Sequence, residues 1–363
     1  MKQKRLTFLL LLISNLFCAS AQKWYKPEID LKVEELLSQM TVEEKLGYIG
    51  GIDWMYTKSI DRLGIHRMRM SDGPQGIGTK GKSTAYPATV TLAATWNENL
   101  AYQYGKALGR DCRARNINVI LGPAVNIYRA PMCGRNFEYM GEDPYLTSRI
   151  CVGYIKGVQD QGVMATVKHF VANNSDYDRN NISNDIDERT LNEIYFPAYK
   201  AAIQEAEVGA IMTSYNLMNG IYTTENPWLL KEVLRNQWGF KGLVMSDWGS
   251  THYCVPAARS GLDLEMAGGE KMNPKDMAYY LKTGDVTMDM VDEKVRHILR
   301  ILIAFGFKDG TEADKSIALD DPQSVETALN VAREGLVLLK NENNILPINP
   351  QKYKHIIVTG KNA

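Results

Sequence analysis

The chain has 363 residues, 45% of them hydrophobic and 23% charged, with 42 basic and 42 acidic side chains. Those proportions describe a folded globular protein and argue against a disordered or membrane-embedded one. Zero net charge without a basic stripe argues against a nucleic-acid partner.

In chain order, the first message is a targeting one. Residues 1–5 (MKQKR) are basic, residues 6–17 are mostly apolar, and Ala19-Ser20-Ala21 offers small residues at a cleavage site. This reads as a secretory signal peptide whose apolar core is too short to span a bilayer comfortably. Bulky Phe17 before Cys18 weakens the competing reading, a lipoprotein anchor. Cleavage after Ala21 removes three of the 42 basic residues, leaves 39 against 42 acidic, and sends the protein to a secreted or periplasmic location. No later apolar run approaches the length of a transmembrane helix.

Thr41 followed by Glu44 predicts a capping box at the start of a helix. Strands are predicted at 66–72, 118–122, 163–169, 209–215, 242–247 and 261–265. Between them, apolar residues at helical spacing predict helices over 96–115, 188–207 and 289–305. Asn226-Pro227 places a cap before a first-turn proline. This alternation over roughly 250 residues predicts an α/β fold with a parallel sheet, and a (β/α)8 TIM-type barrel is the usual solution. A doubly wound open sheet stands as the alternative, although the glycine-rich phosphate turn expected after its first strand is missing.

The end of the chain differs. A helix is predicted over 324–340, then the turn-rich NENNILP at 341–347, then a strand at 355–360 (HIIVTG) with no sheet to join. The expected plan is a signal peptide over 1–21, a barrel over 22–310, a linker over 311–350, and the opening of a truncated second domain over 351–363.

Cys112, Cys133, Cys151 and Cys254 are widely spaced and form no C-x-x-C pair. This excludes a dense disulfide framework and a Cys-type zinc site, leaving one or two bridges open. His66, His169, His252, His297 and His355 are dispersed, so neither a metal nor an organic cofactor is indicated.

In a (β/α)8 barrel the C-terminal strand ends converge on one face. Here those ends carry Asp72 in MSDGPQG, Lys168-His169 in VKHF, Tyr215 in IMTSYN and Asp247 in VMSDWG, with Arg135 just beyond the 118–122 strand. Each alone has an ordinary explanation. Asp72 suits a turn, Asp247 a helix cap, His169 a core position, Arg135 a pair with Glu138, and Trp248 packing. Together, a Lys, an Arg, a His and two Asp are costly to bury unless they pair or meet a polar ligand. A sugar is such a ligand. An Asp among cations is expected to have a depressed pKa, which suits a nucleophile at an anomeric carbon.

The motifs SDGPQG, GRNFEYMGEDPYL, KHFVANN, DERTLNEIYFPAYKAAI, MTSYNLMNG and VMSDWGS, in this order, resemble the N-terminal domain of glycoside hydrolase family 3, especially its β-glucosidases. The resemblance runs from about Leu36 to Val358, and the tail is similar to the family's linker and the first strand of its second, α/β sandwich domain. It implies a retaining, exo-acting β-glucosidase that acts on a β-glucoside or oligosaccharide without a cofactor. It further implies Asp247 as nucleophile and Asp72 on the outer hydroxyls of a terminal glucose. Arg135, Lys168 and His169 would hold the other hydroxyls, with Met212 and Tyr215 lining the pocket and Trp248 near the leaving group.

The stretch 171–179 lacks the histidine of the family's N-acetylglucosaminidases, and Ser71-Asp72-Gly73-Pro74 replaces the Glu-containing motif usual in its β-xylosidases. Both departures favour glucose. In similar members the general acid/base is a Glu of the second domain. This chain is therefore expected to hold the nucleophile without its proton donor, since Glu138, Glu142, Asp143, Asp187 and Glu265 sit in no acid-catalysis motif. Three other readings stand beside this one: a non-catalytic sugar-binding remnant, a β-xylosidase, and a barrel for a phosphorylated metabolite. The last conflicts with the signal peptide and the missing phosphate loop.

Overall fold

A computed structural model of the chain describes residue 22, residues 24–78 and residues 81–361. The predicted signal peptide lies outside the described residues. Among those described, eight strands form two sheets: β1 (Met70–Asp72), β2 (Val119–Leu121), β3 (Met164–Phe170), β4 (Ser183–Asn184), β5 (Ala210–Thr213), β6 (Leu217–Met218), β7 (Ile221–Tyr222) and β8 (Leu243–Met245).

The main sheet runs β1-β2-β3-β5-β8, and every neighbouring pair is parallel. All seven residues of β3 and all four of β5 are buried, as expected for strands covered on both faces. Single bridges continue the ring. Met245 pairs with Leu264 and Glu265 with Gly50, both parallel, while Ile52 with Tyr56 and Tyr56 with Arg69 are antiparallel and lead back to β1. The fold is thus an α/β, TIM-type barrel. Isolated bridges, the last two antiparallel, stand between β8 and β1 where a regular barrel has further parallel strands. The expected strand at 261–265 contributes bridges alone.

Outside the ring, the Glu98–Arg113 and Pro144–Gln159 helices pack backbone against backbone. A Cβ on Gly105 would sit 2.1 Å from the Tyr154 carbonyl oxygen, and one on Gly157 2.1 Å from that of Tyr102. The capping box forms: Glu44 N–H donates to Thr41 Oγ1 (3.2 Å) and Thr41 N–H to Glu44 Oε2 (2.8 Å). Asn226 caps as predicted, accepting from Leu229 N–H at 3.1 Å.

Two helical expectations are corrected. The segment 188–207 is not one regular helix. It runs Glu188–Thr190, a wider π-turn over Leu191–Tyr195, then Pro197–Gln204. Pro197 brings no N–H to the ladder, and Phe196 N–H reaches back five residues to Leu191 O. The last helix, Pro322–Glu334, ends before Gly335, so Leu336 to Leu339 lie exposed outside it. Residues 355–360 form no strand. The small sheet β4-β6-β7 was not anticipated; strands of two residues carry no readable period.

Candidate active site

Asp72 ends β1, Lys168 and His169 lie near the end of β3, Met212 lies in β5, and Tyr215 and Asp247 follow β5 and β8 by two residues. Arg135 stands before the 3-10 turn Asn136–Glu138 in the loop after β2. One cavity of about 280 Å³ is lined by Asp72, Arg135, Lys168, Met212, Tyr215, Asp247 and Trp248, together with Trp54, Met55, Leu121 and Arg179. Seven of the eight residues singled out in the sequence therefore share one hollow. The eighth, His169, is fully buried behind Asp247 instead of on the wall.

Lys168, 3% exposed, joins the carboxylates. Its Nζ lies 3.1 Å from Asp72 Oδ1 and 4.0 Å from Glu138 Oε2. Arg135 Nε hydrogen-bonds Glu138 Oε1, and its Nη1 lies 4.0 Å from Asp247 Oδ2. The Arg135–Glu138 pair, the ordinary explanation for Arg135, is present, and Glu138 is buried. Burial pulls the Asp72 pKa upward; Lys168 and then Arg135 outweigh it and hold the group below the usual carboxylate value.

Asp247 is held asymmetrically. Oδ1 accepts the Trp248 N–H at 2.7 Å, while Oδ2 is buried without a hydrogen-bond partner. His169 Nε2, 3.5 Å from Oδ2, is equally unpartnered. The expected depression of the Asp247 pKa is not found. Burial raises it, and Lys168, Arg135, the Trp248 N–H and Tyr215 offset only part of that. Burial, followed by Arg135, Lys168 and Arg179, pushes the His169 pKa well below its usual value. Its imidazole is neutral at pH 7.

Tyr215 lies under the Arg179 guanidinium, whose Cζ is 3.9 Å from the ring centroid. Burial, then the neighbouring Asp247, raise the Tyr215 pKa. Trp248 donates its indole N–H to the Trp54 carbonyl at 2.8 Å, joining residues 52–56 to the loop after β8.

Arg179, Trp54, Met55, Leu121 and Asn126, which hydrogen-bonds His169, were missed in the sequence. Of these, Trp54, Met55, Asn126 and Arg179 sit on loops, away from strand ends. Of the other candidate carboxylates, Glu142 is exposed and does not line the cavity, and the remaining three have structural partners. Asp143 and Asp187 cap helices, and Glu265 accepts the N–H groups of Lys271 and Met272. Cys112, Cys133, Cys151 and Cys254 are all free thiols. Among the described residues no group of three or more His, Cys, Asp or Glu could hold a metal ion, and no helix is long and apolar enough to cross a membrane.

The model for the glycosyl hydrolase family 3 N-terminal domain matches residues 41–301. A beta-glucosidase of Rhizobium radiobacter is 42% identical over 337 residues, covering 91% of this chain and 41% of the relative. Thermostable beta-glucosidase B of Acetivibrio thermocellus is 39% identical, over 87% of this chain and 43% of the relative. Among solved structures, beta-glucosidase 3B of Thermotoga neapolitana in complex with α-D-glucose superposes with a TM-score of 0.81 at 35% identity, over 88% of this chain and 48% of that one. The chain thus spans less than half the length of these relatives. With such matches along most of its length, the chain belongs to glycosyl hydrolase family 3.

Proposed function

We propose that this chain carries the glucose-binding and nucleophilic half of a retaining, exo-acting β-glucosidase, with Asp247 as nucleophile. The observation behind the proposal is the setting of Asp247: one oxygen fixed by a backbone N–H, the other unpartnered, in a residue lining a hollow of hexose size. Oδ2 attacks the anomeric carbon as the bond to the leaving oxygen breaks, giving a glycosyl ester that water then cleaves. Asp72, Arg135 and Lys168 supply charged partners for the hydroxyls, and Trp248 supplies an apolar wall.

A retaining pair needs its second carboxyl about 5–5.5 Å away. Glu138, Asp143, Asp187 and Glu265 are already engaged and Glu142 does not line the cavity, so we place the proton donor outside this domain. The leader at 1–21 fits action outside the cytoplasm. The chain alone then cleaves natural β-glucosides poorly but releases a nitrophenolate, which needs no proton. Proton NMR of the first sugar released from nitrophenyl β-glucoside tests this. The β-anomer, absent with Asp247→Asn, supports the reading. The α-anomer contradicts it, and complete inactivity of the wild-type chain favours a sugar-binding module.

A further inference from the structure

Asn126 is buried behind the cavity wall and touches His169 at three atoms. Its Oδ1 accepts the His169 backbone N–H at 2.9 Å, and its Nδ2 donates to the His169 carbonyl at 2.9 Å. Those two bonds fix which end of the amide is oxygen, since a flipped amide would set donor against donor and acceptor against acceptor. The same Oδ1 stands 3.2 Å from His169 Nδ1. An amide oxygen only accepts, so Nδ1 carries the hydrogen. In a neutral ring Nε2 is then bare.

We propose that Asn126 is a positioning residue that locks His169 in the Nδ1–H tautomer, so that a lone pair of Nε2, and not an N–H, faces Oδ2 of Asp247. Both atoms are buried and unpartnered, 3.5 Å apart. Two acceptors facing each other favour a proton between them. In the ligand-free protein this arrangement adds to burial in raising the Asp247 pKa, while attack on the anomeric carbon requires the carboxylate. In the occupied site, a hydroxyl reaching this spot meets an acceptor in His169.

The remaining groups around the pair do not reverse this. Lys168 and Arg135 favour the ionised carboxylate, as do the Trp248 N–H and the Tyr215 hydroxyl. Around the imidazole, Arg135, Lys168 and Arg179 all oppose a second proton on the ring. Tyr139 contacts the ring by its edge, and the Tyr199 hydroxyl is spent on the His169 carbonyl at 2.6 Å. The inference rests on the proposed function only in calling Asp247 a nucleophile, so its test avoids turnover.

With ¹⁵N-histidine labelling of the chain, and His169→Gln to assign the signal, long-range ¹H–¹⁵N spectra at pH 7 should show His169 with a bare Nε2. In Asn126→Ala the hydrogen should move wholly or partly to Nε2. The Asp247 pKa, read from its carboxyl ¹³C shift, should then fall by about one unit, because an N–H now faces the carboxylate. Asn126→Asp keeps an acceptor at Nδ1 and should retain the original tautomer. A hydrogen on Nε2 in the wild-type protein overturns the proposal without any variant, as does an unchanged tautomer in Asn126→Ala. Inactivity toward glucosides would count against the proposed function and leave this result standing.

Discussion

Lys168 Nζ lies 3.1 Å from Asp72 Oδ1, joining two strand ends that are 96 residues apart in sequence. The contact reaches past β2, which lies between β1 and β3 in the sheet, and ties a buried ammonium to a carboxylate at the cavity mouth. Replacement by methionine keeps the length of the side chain and removes the charge. Lys168→Met should raise the Asp72 pKa, since Lys168 is the leading influence holding it down. It should also weaken glucose binding about tenfold or more, the usual loss of one charge-assisted hydrogen bond. Carboxyl ¹³C titration and calorimetry with glucose measure the two effects.

The neutral, buried His169 predicts an acid-sensitive fold. Its folded pKa lies below the unfolded value of about 6.5, so the unfolded chain takes up the proton first as pH falls. Stability contributed by the uncharged ring is therefore present above pH ~6.5 and declines below it, by up to about 1.4 kcal/mol per pH unit for one proton. Urea unfolding between pH 7 and 5 should show a shallower decline in His169→Gln than in the wild type. Equal slopes would mean that His169 does not titrate between folded and unfolded states.

Gly157 lets the Pro144–Gln159 helix lie directly on the Glu98–Arg113 helix. A methyl group there would meet the Tyr102 carbonyl oxygen at 2.1 Å and Lys106 N at 2.6 Å, both backbone atoms that cannot rotate away. Gly157→Ala should destabilise by about 3 kcal/mol through overpacking, despite alanine's better helix propensity. Gly141→Ala is the contrasting control for space: its added methyl meets nothing within 4 Å, although its φ of +109° leaves a backbone cost.

Much of this arrangement was legible in the sequence because parallel strands covered on both faces read as unbroken apolar runs. The runs ending at Asp72, Lys168-His169 and Asp247 could be located, and barrel geometry then requires their ends to share a face. The segment through Gly50, Ile52 and Tyr56 was not legible, since its pairings are single bridges without a period. Arg179, Trp54 and Asn126 reach the site from loops, where spacing says nothing about direction. The sign of the Asp247 shift was missed for a different reason. The neighbouring cations can be named from sequence, but the depth of burial that outweighs them cannot.

The account depends most on Asp247 being the nucleophile whose carboxylate oxygen bonds to the anomeric carbon. Incubation with an activated 2-deoxy-2-fluoro-β-glucoside slows hydrolysis of the glycosyl ester and leaves it on the protein for peptide mass spectrometry. The mass increase of one fluoroglucosyl unit is predicted on the peptide containing Asp247, and its absence in Asp247→Asn. A label on Asp72, Glu138 or any other residue would contradict the assignment.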